Sequence, residues 1–378
     1  LLPTVPMTAI KPDGDNLKDS LVALTRDLML VPTTASRPEE IVRGLQLIKN
    51  HLEGLDKVKI YDYEYKGVPS LVALPKGVKK PAILMCSHLD VVDYPSPSAF
   101  HSKVSDGRIF GPGAGDMKGA LAITLEIFRS FHSAHPGVSL GLAITCDEEV
   151  GGASGIGFLV EKKNLRCGIA LVPDGGSITN ITTHEKGILH LKMRCKGHFS
   201  HASRPWEGNN ALLRLIQNLN RLEELFSGWK EKHNWHPTCA PTMLRTSNEV
   251  INRIPDYAEA VLDIRFPHPF SSHKMLKQIK ACVDQDLEVE AIIKAEPSDL
   301  KPDPLYLEVT ANVTGEKVHK VREHGGSDAR FIAAKGIPVI ISRPYVGALH
   351  SEEEWIDIES MATLYRIYER YITEKLKL

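Results

Sequence analysis

Apolar positions along this chain keep two different periods, and the points where one gives way to the other outline its architecture. From residue 17 to about 56 they recur at helical spacing and predict two helices, parted by Val31-Pro32-Thr33-Thr34-Ala35. Short runs rich in strand formers follow at 58–63, 70–73 and 81–86, with a lysine-rich turn between the last two. Helical spacing returns over 116–130, where Asp116 stands at the N-cap position. A strand at 138–145, a helix at 154–163 and a buried strand at 168–172 come next. Alternation of this kind predicts an α/β domain with a largely parallel central sheet flanked by helices.

The rhythm changes after residue 184. Positions 189–195 alternate as a half-exposed strand, 210–226 form an amphipathic helix, 257–266 alternate again, and a helix at 272–284 and a strand at 288–295 complete the set. These elements read as an inserted two-layer α/β sandwich over 184–294, between the two parts, 1–183 and 295–378, of the larger domain. A proline-containing stretch, 296–304, leads back to a strand at 337–342 and a last helix from about 357.

Several apolar runs end in polar chemistry. The stretch ITCDEEVGG, residues 144–152, sets Asp147, Glu148 and Glu149 in a row behind the apolar run 138–144. Three carboxylates on a solvated loop are ordinary. Packed at the carboxyl end of a buried strand they repel one another and lose hydration, and a bound cation is the simplest compensation. The run 83–86 ends in Ser87-His88-Leu89-Asp90, the run 170–172 in Pro173-Asp174, and the run 337–342 precedes His350. A glycine-rich loop, Gly111-Pro112-Gly113-Ala114-Gly115-Asp116, matches neither GxGxxG nor the Walker pattern and sets an acid where phosphate would sit. In open α/β sheets the carboxyl ends of the strands form the ligand crevice, so these groups are expected to converge. Together they offer nitrogen and oxygen ligands for two borderline divalent ions. His101, His184, His198 and His236 have no comparable setting and read as structural or solvated.

Composition narrows the function further. In 378 residues, 46 basic side chains nearly cancel 47 acidic ones, which argues against nucleic acid or an anionic membrane as partner. No apolar run approaches the roughly 18 to 20 residues of a membrane span. The six cysteines lack CxxC pairing and several sit in apolar stretches, as expected for buried thiols in the cytoplasm. Residues 1–6 lack the features of a signal peptide and read as an appendage, with Met7 nearer the natural start.

In order, SHLDVVD, GPGAGDMKG, TCDEEVGG, VPDGG, GHFSHASRPWEGNNA, NRIP, DIRF, GGSDARF and ALHS resemble the M20 metallopeptidase and deacylase family, over residues 17 to 372. The resemblance implies two divalent ions, Zn²⁺ first with Co²⁺ or Mn²⁺ as alternatives. His88 and Asp174 would hold one, Glu149 and His350 the other, and Asp116 would bridge them. Asp90 would orient His88, and Glu148 would act as general base toward a metal-bound hydroxide in amide hydrolysis. His201 would reach the active site of a partner subunit, which implies a homodimer through 184–294. Asn252, Arg265, Gly326 and Ser327 would hold a substrate carboxylate. The expected substrate is a small molecule, an N-acyl amino acid or a short peptide with a free carboxylate. Asp174, where acetylornithine deacetylase and the desuccinylase have glutamate, looks more like the dipeptidases and aminopeptidases and keeps an exopeptidase open. A catalytically silent binding relative is the third reading. The stretch 228–237 has no role derivable from sequence.

Overall fold

The computed structural model describes residues 14–94, 96–229 and 235–378. Residues 1–6 and the centre of the 228–237 stretch lie outside them. Chain contacts divide the molecule into two compact units, one made of residues up to Thr183 with 300–322 and 327–378, the other of 184–299 with 323–326.

The first unit opens with α1 (Gly14–Met29), α2 (Pro38–His51), β1 (Val58–Tyr65), β2 (Val68–Pro75) and β3 (Ile83–His88). It continues through β4 (Lys103–Ser105), β5 (Arg108–Phe110), α3 (Gly119–Ala134), β6 (Leu140–Thr145), α4 (Ile156–Glu161), β7 (Ile169–Val172) and β8 (Asn180–Glu185). The inserted segment supplies β9 (Gly187–Lys196), α5 (Ala211–Phe226), β10 (Thr238–Thr246), β11 (Tyr257–Phe266), α6 (Ser272–Cys282), β12 (Glu288–Ala295) and β13 (Ser298–Asp299). The chain then returns as α7 (Pro304–Thr314), β14 (His319–Glu323), α8 (Ala329–Ala333), β15 (Val339–Ile341), β16 (Val346–Gly347), β17 (Trp355–Asp357) and α9 (Ile358–Leu376).

The main sheet of the first unit runs β1-β2-β6-β3-β7-β15-β8. Its centre, β6-β3-β7-β15, is parallel, and antiparallel strands flank it. Side chains alternate across the sheet, so Ile83 and Met85 of β3 join one apolar cluster while Leu84 and Cys86 join the other. Both faces are therefore dry, which explains why the central strands read as continuous apolar runs. Tyr306, Tyr368 and Tyr371 of α7 and α9 pack in the first cluster with α1 and α3. Helix α9 starts where the Asp357 carboxylate accepts the Ser360 N–H at 2.7 Å.

A small sheet, β16-β17-β5-β4, had no readable sequence signal. Its strands are two or three residues long, too short for periodicity to show. It brings the 111–116 loop beside the 348–354 loop, with the Gly111 N–H donating to the Glu354 carbonyl at 2.7 Å.

The second unit carries an antiparallel sheet in the order β10-β11-β9-β12. Strand β11 buries every second residue against α5 and α6, as its alternating sequence predicts. Among the described residues no helix is long and apolar enough to cross a membrane. All six cysteines are free thiols.

Candidate metal centre

Strands β6, β3 and β7 are parallel neighbours, so their carboxyl ends open on one side of the sheet. His88 is the last residue of β3, Glu148 and Glu149 follow β6, and Asp174 follows β7. Asp116 comes from the glycine-rich loop and His350 from the loop after β16. Asp116 lies between the histidines. Its Oδ1 is 3.1 Å from His88 Nε2, and its Oδ2 is 3.3 Å from His350 Nε2. Glu149 Oε2 is 3.4 Å from the same His350 nitrogen. Two donor sets result, His88–Asp116–Asp174 and Asp116–Glu149–His350, each with its ligand atoms within 4.8 Å of one another.

Asp116 does not cap a helix, as its sequence position had suggested. It sits in a wide turn over Ala114–Lys118 at φ −130° and ψ 91°, and α3 begins only at Gly119. The carboxylate is drawn to the two imidazoles, so it is not available to the helix amides. Gly113, at φ +78°, could not carry a side chain here, since a Cβ would fall 2.7 Å from Val91 Cγ1.

The supporting contacts are specific. His88 Nδ1 meets the Asp90 carbonyl at 3.0 Å and the Asp90 carboxylate at 3.6 Å, which turns Nε2 toward Asp116. The Asp90 Oδ2 also accepts the Glu149 N–H at 3.0 Å, tying the ends of β3 and β6 together.

Glu354, which sequence reasoning missed, is 1% exposed and accepts three backbone N–H groups. Its Oε1 takes those of Gly115 at 2.7 Å and Asp116 at 2.8 Å, and its Oε2 that of His350 at 3.3 Å. The signal was available: Glu352-Glu353-Glu354 is a second acidic triplet, just after His350. Burial, followed in weight by the amide bonds and the Asp116 charge, leaves this carboxyl at about 7.

The electrostatics are those of crowded carboxylates. Burial, then the Asp174 charge, pushes Glu148 well above the usual carboxylate range. Burial, then Asp116, pushes Asp174 up to about 6. Burial works to raise Asp116 too, but the hydrogen bonds from His350 and His88 outweigh it and hold that carboxyl far below its ordinary value. Asp116 and Glu149 raise His350 to about 10. Burial would lower His88, yet Asp116 and Asp90 keep it well above normal. Here the two imidazoliums supply the positive charge that the acids demand.

Of the other expected site residues, all but Ser327 lie in the second unit. His201 is exposed, and its Nδ1 lies 2.7 Å from the Ser203 hydroxyl and 3.2 Å from the Ser203 N–H. The segment carrying Asn252 runs beside it, with the Ala202 N–H bonded to the Asn252 carbonyl at 2.8 Å and His201 bridged to Arg253. Arg265 uses Nε and Nη2 on Asp263, two residues back on the same strand, at 2.7 and 3.0 Å. Gly326 ends the short 323–326 segment of that unit. Ser327, in the first unit, is buried, and its hydroxyl accepts the Ala329 N–H at 3.3 Å.

The donor chemistry fits divalent metal ions. Carboxylate and imidazole suit Zn²⁺, Co²⁺ and Mn²⁺, and Glu149 Oε1 is buried with no hydrogen-bond partner. A carboxylate–imidazole centre at the strand ends of an α/β sheet suits metal-assisted hydrolysis. The chain belongs to peptidase family M20/M25/M40, whose model matches residues 84–374. It is accordingly a hydrolase of amide or peptide bonds, in a metal-dependent family.

By sequence it is 28% identical to a succinyl-diaminopimelate desuccinylase of Methylococcus capsulatus over 323 residues, 79% of this chain and 85% of that protein. Among solved structures, an M20 family metallo-carboxypeptidase from Sulfolobus solfataricus matches with a TM-score of 0.81 at 18% identity, covering 95% of this chain and 100% of the other. A tripeptidase from Staphylococcus aureus matches at 0.77 and 18%, covering 96% and 99%. At such identities these two likenesses show the fold.

Proposed function

We propose that the protein is a dinuclear zinc hydrolase that cleaves the amide bond of an N-acyl amino acid, or of a short peptide with a free carboxylate. One observation carries the reading: Asp116 turns one oxygen to His88 and the other to His350, so a single carboxylate serves both donor sets. His88 and Asp174 would hold one ion, Glu149 and His350 the other. When bound, the ions polarise the scissile carbonyl and make water more acidic.

The remaining work falls to the chain. Glu148 makes no side-chain hydrogen bond among the described residues, and its burial beside Asp174 favours taking up a proton. It removes the proton from the attacking water and hands it to the leaving amine. Asp90 orients His88 and anchors the backbone of Glu149. His201, held through Nδ1 by Ser203, donates from Nε2 to the tetrahedral oxyanion. We assign that donor to the active site of a partner in a homodimer formed through the inserted unit. Exposed Phe199, Trp206, Val250 and Ile251, on the same two segments as His201 and Asn252, support a covered surface there.

The test is amine release by the zinc-loaded protein from matched N-acetyl amino acids and free dipeptides, against a chelated control. Turnover of the acylated set is expected, with a loss of about 100-fold or more in Glu148→Gln at unchanged metal content. Undiminished turnover in Glu148→Gln would sink the mechanism. Turnover confined to dipeptides would make the protein an exopeptidase and explain the aspartate at position 174.

A further inference from the structure

The turn that carries Glu148 is tied at both ends to one short stretch of chain from across the fold. Thr145 ends β6, and its hydroxyl donates to Asp328 Oδ2 at 2.9 Å. Beyond Glu149, the Gly151 carbonyl accepts an N–H of Arg330 Nη2 at 2.7 Å. Asp328 and Arg330 stand at the start of α8 and are buried, and all four residues belong to the first unit.

Between the two ties the chain turns tightly. The Glu148 carbonyl accepts the Gly151 N–H at 2.9 Å, and the Asp147 carbonyl accepts the Gly152 N–H at 2.7 Å. The turn has no room to shift toward α8, since a Cβ on Gly152 would fall 2.1 Å from Asp328 Oδ1 and 3.1 Å from Phe331 Cε2. Glu149 has other holds, its N–H on Asp90 and its carboxylate beside His350. Glu148 has no such bond through its side chain, so its place is set by the backbone that Asp328 and Arg330 fasten.

Charge balance alone does not account for Arg330. Its guanidinium offsets the charges of Asp147 and Asp328. Its N–H groups, however, go to two backbone carbonyls, Nη1 to Ser327 at 3.3 Å and Nη2 to Gly151. A planar fork reaches both at once, and an ammonium does not. We propose that Arg330 and Asp328 are positioning residues for the general base: they hold the turn so that Glu148 stays on the attacking water. The proposal rests on the function above. Misplacing a reacting group by about 1 Å costs on the order of 100-fold in rate, so such a hold matters to turnover.

The experiment measures kcat, KM and zinc content for Arg330→Lys, Thr145→Val and Thr145→Ser, and repeats Arg330→Lys in a Glu148→Gln background. The substrate is whichever N-acetyl amino acid or dipeptide the zinc-loaded wild type cleaves fastest. Lysine keeps the charge and loses the fork, while valine keeps the shape and loses the hydroxyl. Arg330→Lys and Thr145→Val should each lower kcat about tenfold or more, with KM within about threefold and zinc content intact. Thr145→Ser should restore most of that loss. Beside Glu148→Gln the lysine should cost less than about threefold, because the group it misplaces is already gone.

Wild-type kcat in Arg330→Lys would reduce Arg330 to a charge balance and overturn the proposal. A loss carried by KM would make it a substrate contact. Loss of zinc, or equal losses with and without Glu148, would make it a support of the fold or of the metal site, and each of these results overturns the proposal while leaving the hydrolase reading in place. Should one variant fail to fold, the other decides, since Arg330 and Thr145 act on opposite ends of the turn. Wild-type turnover by Glu148→Gln would refute the general base itself, and the hold on it as well.

Discussion

Replacing Glu354 by alanine tests whether the centre is held from behind as the geometry implies. The carboxylate gathers the N–H groups of Gly115, Asp116 and His350, at 2.7, 2.8 and 3.3 Å, from two loops that are far apart in sequence. Removing it strands the Gly115 and Asp116 donors in a dry place, at about 1 to 3 kcal/mol each. The expected loss is roughly 4 kcal/mol, a large part of the 5 to 15 kcal/mol typical of a folded domain. Partial relaxation of the loops would bring it lower. Asp116 and His350 also lose their common anchor, and loss of such support usually weakens metal binding about 10- to 100-fold. Urea denaturation of the metal-free protein reads the first effect, and competition with a zinc indicator reads the second. Glu354→Gln keeps one acceptor oxygen and should fall between the two. Unchanged stability together with zinc affinity within about threefold of wild type in Glu354→Ala would refute the reasoning.

Three more outcomes follow from the same structure. In chelator, stability should fall as pH rises from 5 to 7. Burial pushes Asp174 up to about 6, Glu354 to about 7 and Asp328 to about 8. The folded state thus keeps protons that the unfolded chain, with carboxyls near 4, has already released. The buried His132 and Lys118 oppose them, since desolvation lowers the first and brings the second down to about 7; a rising urea midpoint would contradict this balance. Gly152→Ala should cost about 2 kcal/mol or more by denaturation, because φ is +62° and a Cβ would lie 2.1 Å from Asp328 Oδ1; a change below about 0.5 kcal/mol would show that the turn yields freely. His201→Ala should lower kcat at least tenfold, about 1.4 kcal/mol, with metal content intact, and a smaller loss would remove it from the oxyanion.

The parallel strands and the acids at their ends were legible because burial on both faces writes itself as an unbroken apolar run. His88, Glu149 and Asp174 each mark the point where such a run meets the crevice. The antiparallel placement of β2 between β1 and β6 was not legible, since pairing partners leave no local trace. Asp116 was located in its loop but given the wrong local conformation. N-cap preference is a statement about isolated helix ends, and tertiary attraction to two imidazoles overrode it. Glu354 and Arg343 escaped for a common reason. Their meaning lies in what they face across the fold, Gly115 in one case and Asp174 in the other.

The pairing of β15 with β7 has a consequence for how the protein is made. Ile341 lies beside Val172, and the whole inserted unit is synthesised between them. When the ribosome has completed that insert, the chain carries His88, Asp116, Glu149 and Asp174 but lacks Arg343, His350 and Glu354. The sheet cannot close its fourth parallel strand until a distant segment returns, so this contact is among the slow, non-local steps of folding. A nascent or prematurely ended chain would expose a cluster of acids with His88 but neither Arg343 nor His350 beside it. Loading with metal therefore belongs to the finished chain, and release of the C-terminal segment from the ribosome sets the earliest moment at which a complete centre can exist.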